Sequence, residues 1–380
     1  MSDFTRFPDL ASRRVGGSVL AANDELFAER ENLIKPEAPT YQTYTFGHKG
    51  QVYDGWETRR RREPGYDWAI VRLGLPGVIH GVVVDTSFFT GNYPPEVSVE
   101  GHAVDGYPST AELEQVEWLP LVPRSGAGGD AAFPFAVDLR QRMTHVRLCM
   151  YPDGGVARLR VHGEVVADPR FLAAGAVDLA ALENGGVVTG CSNLFYSSPT
   201  NLISPGQARV MGEGWETARR RDDANDWVQL QLVGPGVVRI VELDTSYFVG
   251  NAPGWATLTG WDARGGSPDD PSGRRELLQR TRLQPDTRHR FRLPATDEVT
   301  DVRVDVYPDG GMARVRLWGD LSAQGREAVS LRWWNLLPAA HARQVLAGVD
   351  AGVVAERAVA ARPAATLADL PAALRTNLAG

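Results

Sequence analysis

The chain repeats itself, and no other feature of the sequence restricts its fold as strongly. Gly55-Trp56-Glu57-Thr58, followed by Arg60-Arg61-Arg62, returns as Gly214-Trp215-Glu216-Thr217, followed by Arg219-Arg220-Arg221. The offset of 159 positions holds for Asp67-Trp68 against Asp226-Trp227, for Asp85-Thr86-Ser87 against Asp244-Thr245-Ser246, and for Gly91-Asn92 against Gly250-Asn251. Tyr151-Pro152-Asp153-Gly154-Gly155 comes back as Tyr307-Pro308-Asp309-Gly310-Gly311, 156 positions later. Gly16-Gly17 and Asn32-Leu33-Ile34 match Gly185-Gly186 and Asn201-Leu202-Ile203. A period this long marks a duplicated domain, whereas solenoid units span about 20–50 residues. The reading is an N-terminal segment 1–14, a first repeat 15–168, a linker 169–183, a second repeat 184–321 and a C-terminal helical tail 322–380.

Within each copy the periodicity is that of strands. Val82-Val83-Val84, Val97-Ser98-Val99 and Val146-Arg147-Leu148 are short β-rich runs bounded by Gly, Pro and Asp. Arg158-Leu159-Arg160-Val161-His162 and Arg314-Val315-Arg316-Leu317-Trp318 alternate strictly, which turns the aliphatic residues inward and the arginines outward. Many short strands with glycine-rich turns and no long helical pattern indicate an all-β chain of two antiparallel sandwiches, with a jelly roll fitting the length of each copy. Trp68 and Trp227 are expected to plug the two cores. Past residue 322 the alanine-rich stretch His341 to Ala361 reads as helix, followed by a loosely held end.

Composition removes several classes of function. A formal charge of −7 supplies no bulk attraction to nucleic acid or to an anionic membrane. No apolar run approaches the roughly 18 residues of a spanning helix, and the first residues lack the apolar core of a signal peptide. Cys149 and Cys191 are too few for a disulfide framework or a cysteine zinc site, so the chain is expected to be cytoplasmic. The only lysines are Lys35 and Lys49, so a Schiff-base lysine is one of these two or does not exist. There is no P-loop, no G-x-S-x-G elbow, no H-E-x-x-H and no dinucleotide fingerprint. No cofactor is required by the sequence, and a divalent metal held by carboxylates is left open.

The polar residues kept in both copies are the candidates for chemistry. They include Glu57 and Glu216, Arg60 and Arg219, Arg61 and Arg220, Asp85 and Asp244, Asn92 and Asn251, and Arg158 and Arg314, with Trp56 and Trp215 beside the glutamates. Retention in both copies also suits scaffold, because both copies must fold. Asp153 and Asp309 read as turn formers. For Asp85 and Asp244, which follow an apolar strand, capping and a place at the mouth of the sandwich are equally open. For Glu57 and Glu216 two forces oppose each other. The tryptophan lowers the local dielectric and raises the carboxyl pKa, making an acid, while the arginine run lowers it, making a base or an acceptor.

Asp54-Gly55-Trp56-Glu57-Thr58 with its arginine run, Asp67-Trp68, Asp85-Thr86 and Gly91-Asn92-Tyr93-Pro94 together resemble the allantoicase family. Phe7-Pro8-Asp9-Leu10-Ala11-Ser12-Arg13, and in the second copy Cys191-Ser192-Asn193 through Gly250-Asn251-Ala252-Pro253, are similar too, so the resemblance covers roughly residues 7–320. It implies two galactose-binding-like jelly rolls and hydrolysis of allantoate to (S)-ureidoglycolate and urea in purine breakdown. Some members carry histidine where this chain has Phe88 and Tyr247, so histidine catalysis at that position does not apply here. For such a substrate Glu57, Glu216, Asp85 and Asp244 are the catalytic candidates. Trp56, Arg60, Arg61, Asn92, Arg158, Trp215, Arg219, Arg220, Asn251 and Arg314 are the substrate-binding ones. The competing class is a non-catalytic tandem jelly roll that binds carbohydrate or another small ligand. A homo-oligomer is expected, with Trp333-Trp334 supplying apolar contact surface.

Overall fold

The computed structural model describes residues 4–41, 43–265, 273–294 and 296–379. Two compact units emerge. One holds the chain up to Val166 together with Trp334–Arg362, the other Ala167–Trp333 together with the chain from Pro363 onward.

The first unit is built on strands β1 (Ser18–Ala22), β2 (Trp56–Glu57), β3 (Asp67–Asp85), β4 (Glu96–His102), β5 (Leu119–Gly126), β6 (Ala132–Ala136), β7 (Arg142–Tyr151), β8 (Gly155–Val156) and β9 (Arg158–Val165). The 19-residue β3 serves two layers. Its first half lies between β1 and β7, in the order β1-β3-β7-β4-β5, and its second half pairs with β6 and β9. The strand turns the corner at Gly74-Leu75-Pro76-Gly77, where the register shifts between Arg72 and Gly77. Gly77 is required there because a Cβ would stand 2.0 Å from the Glu164 carbonyl oxygen. Every pairing is antiparallel, and the result is a jelly-roll sandwich.

The second unit repeats the plan with β10 (Val177–Asp178), β11 (Val187–Cys191), β12 (Trp215–Glu216), β13 (Asp226–Asp244), β14 (Trp255–Trp261), β15 (Arg275–Arg282), β16 (Arg288–Arg292), β17 (Val299–Tyr307), β18 (Gly311–Met312) and β19 (Arg314–Leu321). Here β11-β13-β17-β14-β15 form one layer and β16 and β19 flank the second half of β13, with β10 on the outer edge of β19. Asp9 and its counterpart Asp178 pin the segment before each sandwich to its last strand, accepting from the amides of Val161 and Leu317 at 2.9 and 2.8 Å.

Helices are few. They are α1 (Thr110–Gln115), α2 (Pro169–Leu172), α3 (Ala323–Leu336), α4 (Ala339–Gly348), α5 (Ala355–Ala360) and α6 (Ala372–Ala379). In the first unit the fully buried His341 of α4 meets Asp105 Oδ1 at 2.7 Å. The end of the chain is not loose, because Leu374 and Leu378 of α6 are buried. No helix among the described residues is long and apolar enough to cross a membrane.

Three expectations about side-chain direction are corrected. Trp68 and Trp227 are only half-buried, and the tryptophans that plug the cores are Trp56 and Trp215. On β3 the inward place goes to Asp67, whose Oδ1 accepts from Arg61 at 2.7 Å and Asn23 at 2.8 Å, and alternation then turns Trp68 away. Arg158, Arg314 and Arg316 do not face solvent; each is buried, because connecting segments cover the outer face of β9 and β19 and donate carbonyls to the guanidinium groups. Trp333 and Trp334 are both fully buried and present no apolar surface for association.

Burial also sets an acid limb on stability. His145 is buried on β7 with Nδ1 at 2.8 Å from Thr144 Oγ1, and burial, reinforced by the charges of Arg72 and His102, pushes it down to about 4. The unfolded chain takes up this proton near pH 6.5 and the folded one does not, so the stabilisation is complete above pH 6.5 and is lost as pH falls toward 4. A shift of this size corresponds to roughly 3 kcal/mol. Chemical denaturation from pH 7 to pH 4 is expected to show this loss in the parent and a flatter profile in His145→Leu. An equally steep variant profile would remove His145 from the account.

Candidate active site

Each repeat closes one end of its sandwich with a two-stranded ribbon that presents a glutamate. In the first, β2 and β8 pair Glu57 with Gly155 and Trp56 with Val156; in the second, β12 and β18 pair Glu216 with Gly311. Glu57 is held from its other side as well. Its amide donates to the Ala28 carbonyl at 3.3 Å, and its carbonyl accepts from the Ala28 amide at 3.2 Å. Beneath the ribbon lies the Phe89 ring, and Gly155 is glycine because a Cβ there would stand 2.2 Å from that ring. Gly311 meets Phe248 in the same way, at 1.9 Å.

Asparagine completes the pair. Asn92 accepts the Gly155 amide on its carbonyl at 2.7 Å and donates Nδ2 to Glu57 Oε1 at 2.5 Å. Asn251 does the same for Gly311 at 2.8 Å and Glu216 Oε1 at 2.6 Å. Glu57 is buried, and its Oε2 is out of solvent with no hydrogen-bond partner. Burial raises the Glu57 carboxyl above the ordinary glutamate range, opposed by the hydrogen bond from Asn92. No arginine donates to it among the described residues, so burial prevails and the arginine run does not lower it. Glu216 is half-buried, and Met211 Sδ lies 3.4 Å from Asn251 Nδ2.

The arginines divide by role. Arg61 donates its amide to Asp153 Oδ2 at 2.8 Å and its guanidinium to Asp67; Arg220 repeats this with Asp309 and Asp226. Arg158 donates to the carbonyls of Glu37, Asp54 and Ala157 and to Asp54 Oδ2 at 2.7 Å. Arg314 holds the carbonyls of Gly206, Glu213 and Ala313. These four are braces. Arg60 and Arg219 are exposed, and no protein acceptor engages their guanidinium groups among the described residues. Asp85 and Asp244 accept from the amide and hydroxyl of Ser87 and Ser246 through Oδ1, the bonds of a capping turn. That turn carries Phe88 and Tyr247, both at φ 70°, with their amides on Asp130 and Asp286. Trp56 and Trp215 are fully buried and donate Nε1 to the carbonyls of Asp24 and Asn193, and as strand neighbours of the glutamates they leave from the opposite face of the ribbon, into the core.

Tyr53 and Asn32, which lie near Glu57, were not among the site candidates drawn from the sequence. Tyr53 stacks on Phe89 with centroids 5.7 Å apart, and burial together with the charges of Glu57 and Tyr41 raises its phenol. Asn32 and Asn201 clamp the Gly55 and Gly214 carbonyls at 2.8 Å. Tyr53, Asn32 and Ala28 line a cavity of about 350 Å³ that also touches both lysines. Each lysine is ion-paired, Lys35 with Asp54 and Lys49 with Glu29, both at 3.0 Å. Retention in both copies was a usable signal for the asparagines, but Tyr53 has Gly212 as its counterpart and gave none. Among the described residues, Glu25, Glu29 and Glu31 are the carboxylates close enough to share a cation, and Arg30 and Lys49 already pair with them.

The repeat is recognisable beyond this chain. Residues 8–166 and 177–322 each match the family model described as the allantoicase repeat. A probable allantoicase of Nocardia farcinica is 60% identical over 321 residues, covering 84% of this chain and 95% of that one. The allantoicase of Dictyostelium discoideum is 41% identical over 320 residues, covering 81% and 86%. The crystal structure of allantoicase from Saccharomyces cerevisiae matches with a TM-score of 0.69 at 34% identity, over 83% of this chain and 93% of that one. Both repeats carry the family's pattern and the relatives are spanned almost end to end, so the chain belongs to the allantoicase family.

Proposed function

We propose that the chain hydrolyses allantoate to (S)-ureidoglycolate and urea, with Glu57 as the acid–base residue. The carrying observation is the buried Glu57–Asn92 pair, whose carboxyl is raised by burial and has one oxygen free of hydrogen bonds. Allantoate carries a carboxylate and two ureido groups on one carbon. Expelling urea requires a proton on the departing nitrogen and a hydroxyl on the carbon left behind. Glu57, protonated on Oε2 while Asn92 holds Oε1, gives its proton to the leaving ureido nitrogen as the C–N bond breaks. Water then adds to the resulting N-acyliminium carbon, and its proton returns to Glu57, so urea leaves and the acid is restored. A surface binding module has no use for a desolvated carboxyl of this kind, and this feature supports the enzyme over the carbohydrate binder.

The substrate carboxylate is assigned to Arg60. It stands three residues beyond Glu57 in the sequence, just past the ribbon, is exposed, and has its donors unengaged by protein groups among the described residues. A charge-assisted hydrogen bond of about 1.5–3 kcal/mol translates into roughly ten- to a hundredfold in affinity. Arg60→Ala is therefore expected to raise KM by about that factor with kcat little changed, read from initial rates of urea release. An unchanged KM would move the carboxylate to another residue. In the second repeat Arg219, Glu216 and Asn251 recur, but the fuller burial of Glu57 compared with Glu216 favours the first repeat as the catalytic one.

We place the enzyme in the cytoplasm, in keeping with two free thiols, Cys149 and Cys191. Homo-oligomerisation is retained on a different surface from the one first expected. The consecutive Leu194, Phe195 and Tyr196 are 66–68% exposed, an apolar run that association would cover. Sedimentation velocity at micromolar concentration tests it, with a stable monomer as the contrary result.

A further inference from the structure

The two repeats share a fold, so charged residues present in only one of them are not needed to build it. On β16 the residues facing one way are Arg288, Arg290 and Arg292, and the matching positions of β6 are Ala132, Pro134 and Ala136. The residue of β13 that pairs with Arg290 is Glu242, where the first repeat has Val83 opposite Pro134. Glu242 is buried and receives Arg288 Nε at 3.2 Å and Nη2 at 2.9 Å on Oε1, and Arg290 Nε at 2.6 Å on Oε2. Burying such a carboxylate carries a desolvation cost that a valine avoids, and the first repeat folds with Val83, Ala132 and Pro134 in these places, so the fold does not require the triad.

These groups line a cavity of about 370 Å³ together with Asp178, Arg316 and Trp318. Arg316 is 8% exposed and lies on the wall. Its Nη2 donates to the carbonyls of Ser204 and Gly206 at 2.6 and 2.7 Å, but its Nη1 is buried and donates to nothing. In the first repeat the equivalent Arg160 has Nη1 on the Lys35 carbonyl and Asp9, and Nη2 on the carbonyls of Pro36 and Glu37. Arg290 has a side chain 66% exposed and engages Glu242 through Nε, so Glu242 aims the fork without consuming it. Trp318 is 40% exposed and offers an apolar wall, where the first repeat has His162. Neither Glu216 nor Asn251 lines this cavity.

We propose that the second repeat binds a small organic carboxylate in this cavity, gripped by Arg288 and Arg290 and packed against Trp318, at a site separate from the Glu57 pair. The terminal nitrogens of Arg290 match a second carboxylate in two places, Arg288 adds its remaining Nη1 and positive charge, and the indole face selects an organic anion over an inorganic one. The test is calorimetric titration of the full chain with N-carbamoylglycine, with inorganic phosphate and sodium chloride as parallel titrants. Saturable binding of N-carbamoylglycine that weakens with salt is expected, falling at least tenfold in Arg290→Gln, whose changed side chain is mostly exposed. It should disappear in the combined Glu242→Val, Arg288→Ala and Arg290→Pro chain, which installs the residues with which the first repeat folds. Binding must survive in Arg60→Ala. Loss there with retention in Arg290→Gln would place the ligand at the hydrolytic site and overturn the proposal. Phosphate binding without N-carbamoylglycine binding, or no saturable heat at all, would also overturn it. Heat of binding is read without turnover, so these outcomes stand apart from whether allantoate is hydrolysed.

Discussion

Glu57→Gln is expected to release urea from allantoate about 10²–10⁴-fold more slowly than the parent chain, the range that separates a positioned proton donor from none. Glutamine keeps the shape of the side chain and the acceptor that Asn92 holds at Oε1, but its amide N–H is far too weak an acid to transfer a proton. The loss should fall on kcat, because the proton moves only as the C–N bond breaks. Glu216→Gln is expected to stay within about tenfold of the parent, since Glu216 is less buried than Glu57 and the residue matching Tyr53 is glycine. The pH profile adds a check independent of the variant. Burial raises the Glu57 carboxyl, so the acid form persists to higher pH than for a solvated glutamate, and the rate should fall as pH climbs through that raised value. Equal rates for folded parent and Glu57→Gln would make this glutamate scaffold, and a large loss confined to Glu216→Gln would move catalysis to the second repeat.

Arg158→Leu is the substitution expected to cost the first unit most in stability, at about 3–5 kcal/mol. The guanidinium is 1% exposed and makes hydrogen bonds to Glu37, Asp54 and Ala157 carbonyls and to the Asp54 carboxylate. With it gone, Asp54 loses the neighbour that, despite its partial burial, helps hold its carboxyl down at about 2, and buried carbonyls lose their donor. Scanning calorimetry should show one transition moved down. Sign and pH range follow from Asp54. Its folded value is depressed, so its contribution is present above the unfolded pKa near 4 and is lost as pH falls toward 2. The deficit of the variant should therefore shrink in acid. If Arg158→Leu melted with the parent but bound substrate poorly, the arginine would be a substrate ligand after all.

What was legible in the sequence is what repetition and local chemistry encode. The duplication announced two equivalent domains, short β-rich runs with Gly, Pro and Asp between them announced antiparallel sandwiches, and the paired Trp-Glu and Gly-Asn motifs named the residues that the ribbon and its turn bring together. Strand alternation read direction correctly for Leu159 and Val161, which are buried. It failed for Arg158 and Arg314 because alternation states which face of a sheet a side chain leaves from, not what lies over that face. Segments distant in sequence cover the outer faces of β9 and β19, and only their arrival turns two outward arginines into buried braces. Arg60 and Arg61 are adjacent and chemically identical, yet one meets Asp67 and the other meets no protein acceptor among the described residues. The same holds for Trp56 against Trp68, and for Glu57, whose acidity was balanced between tryptophan and arginine until tertiary packing removed water and brought no arginine to it. Residue type and spacing were determined by the sequence alone. Burial and the choice of partner were decided by the tertiary structure, because both depend on contacts that close over distances no local pattern records.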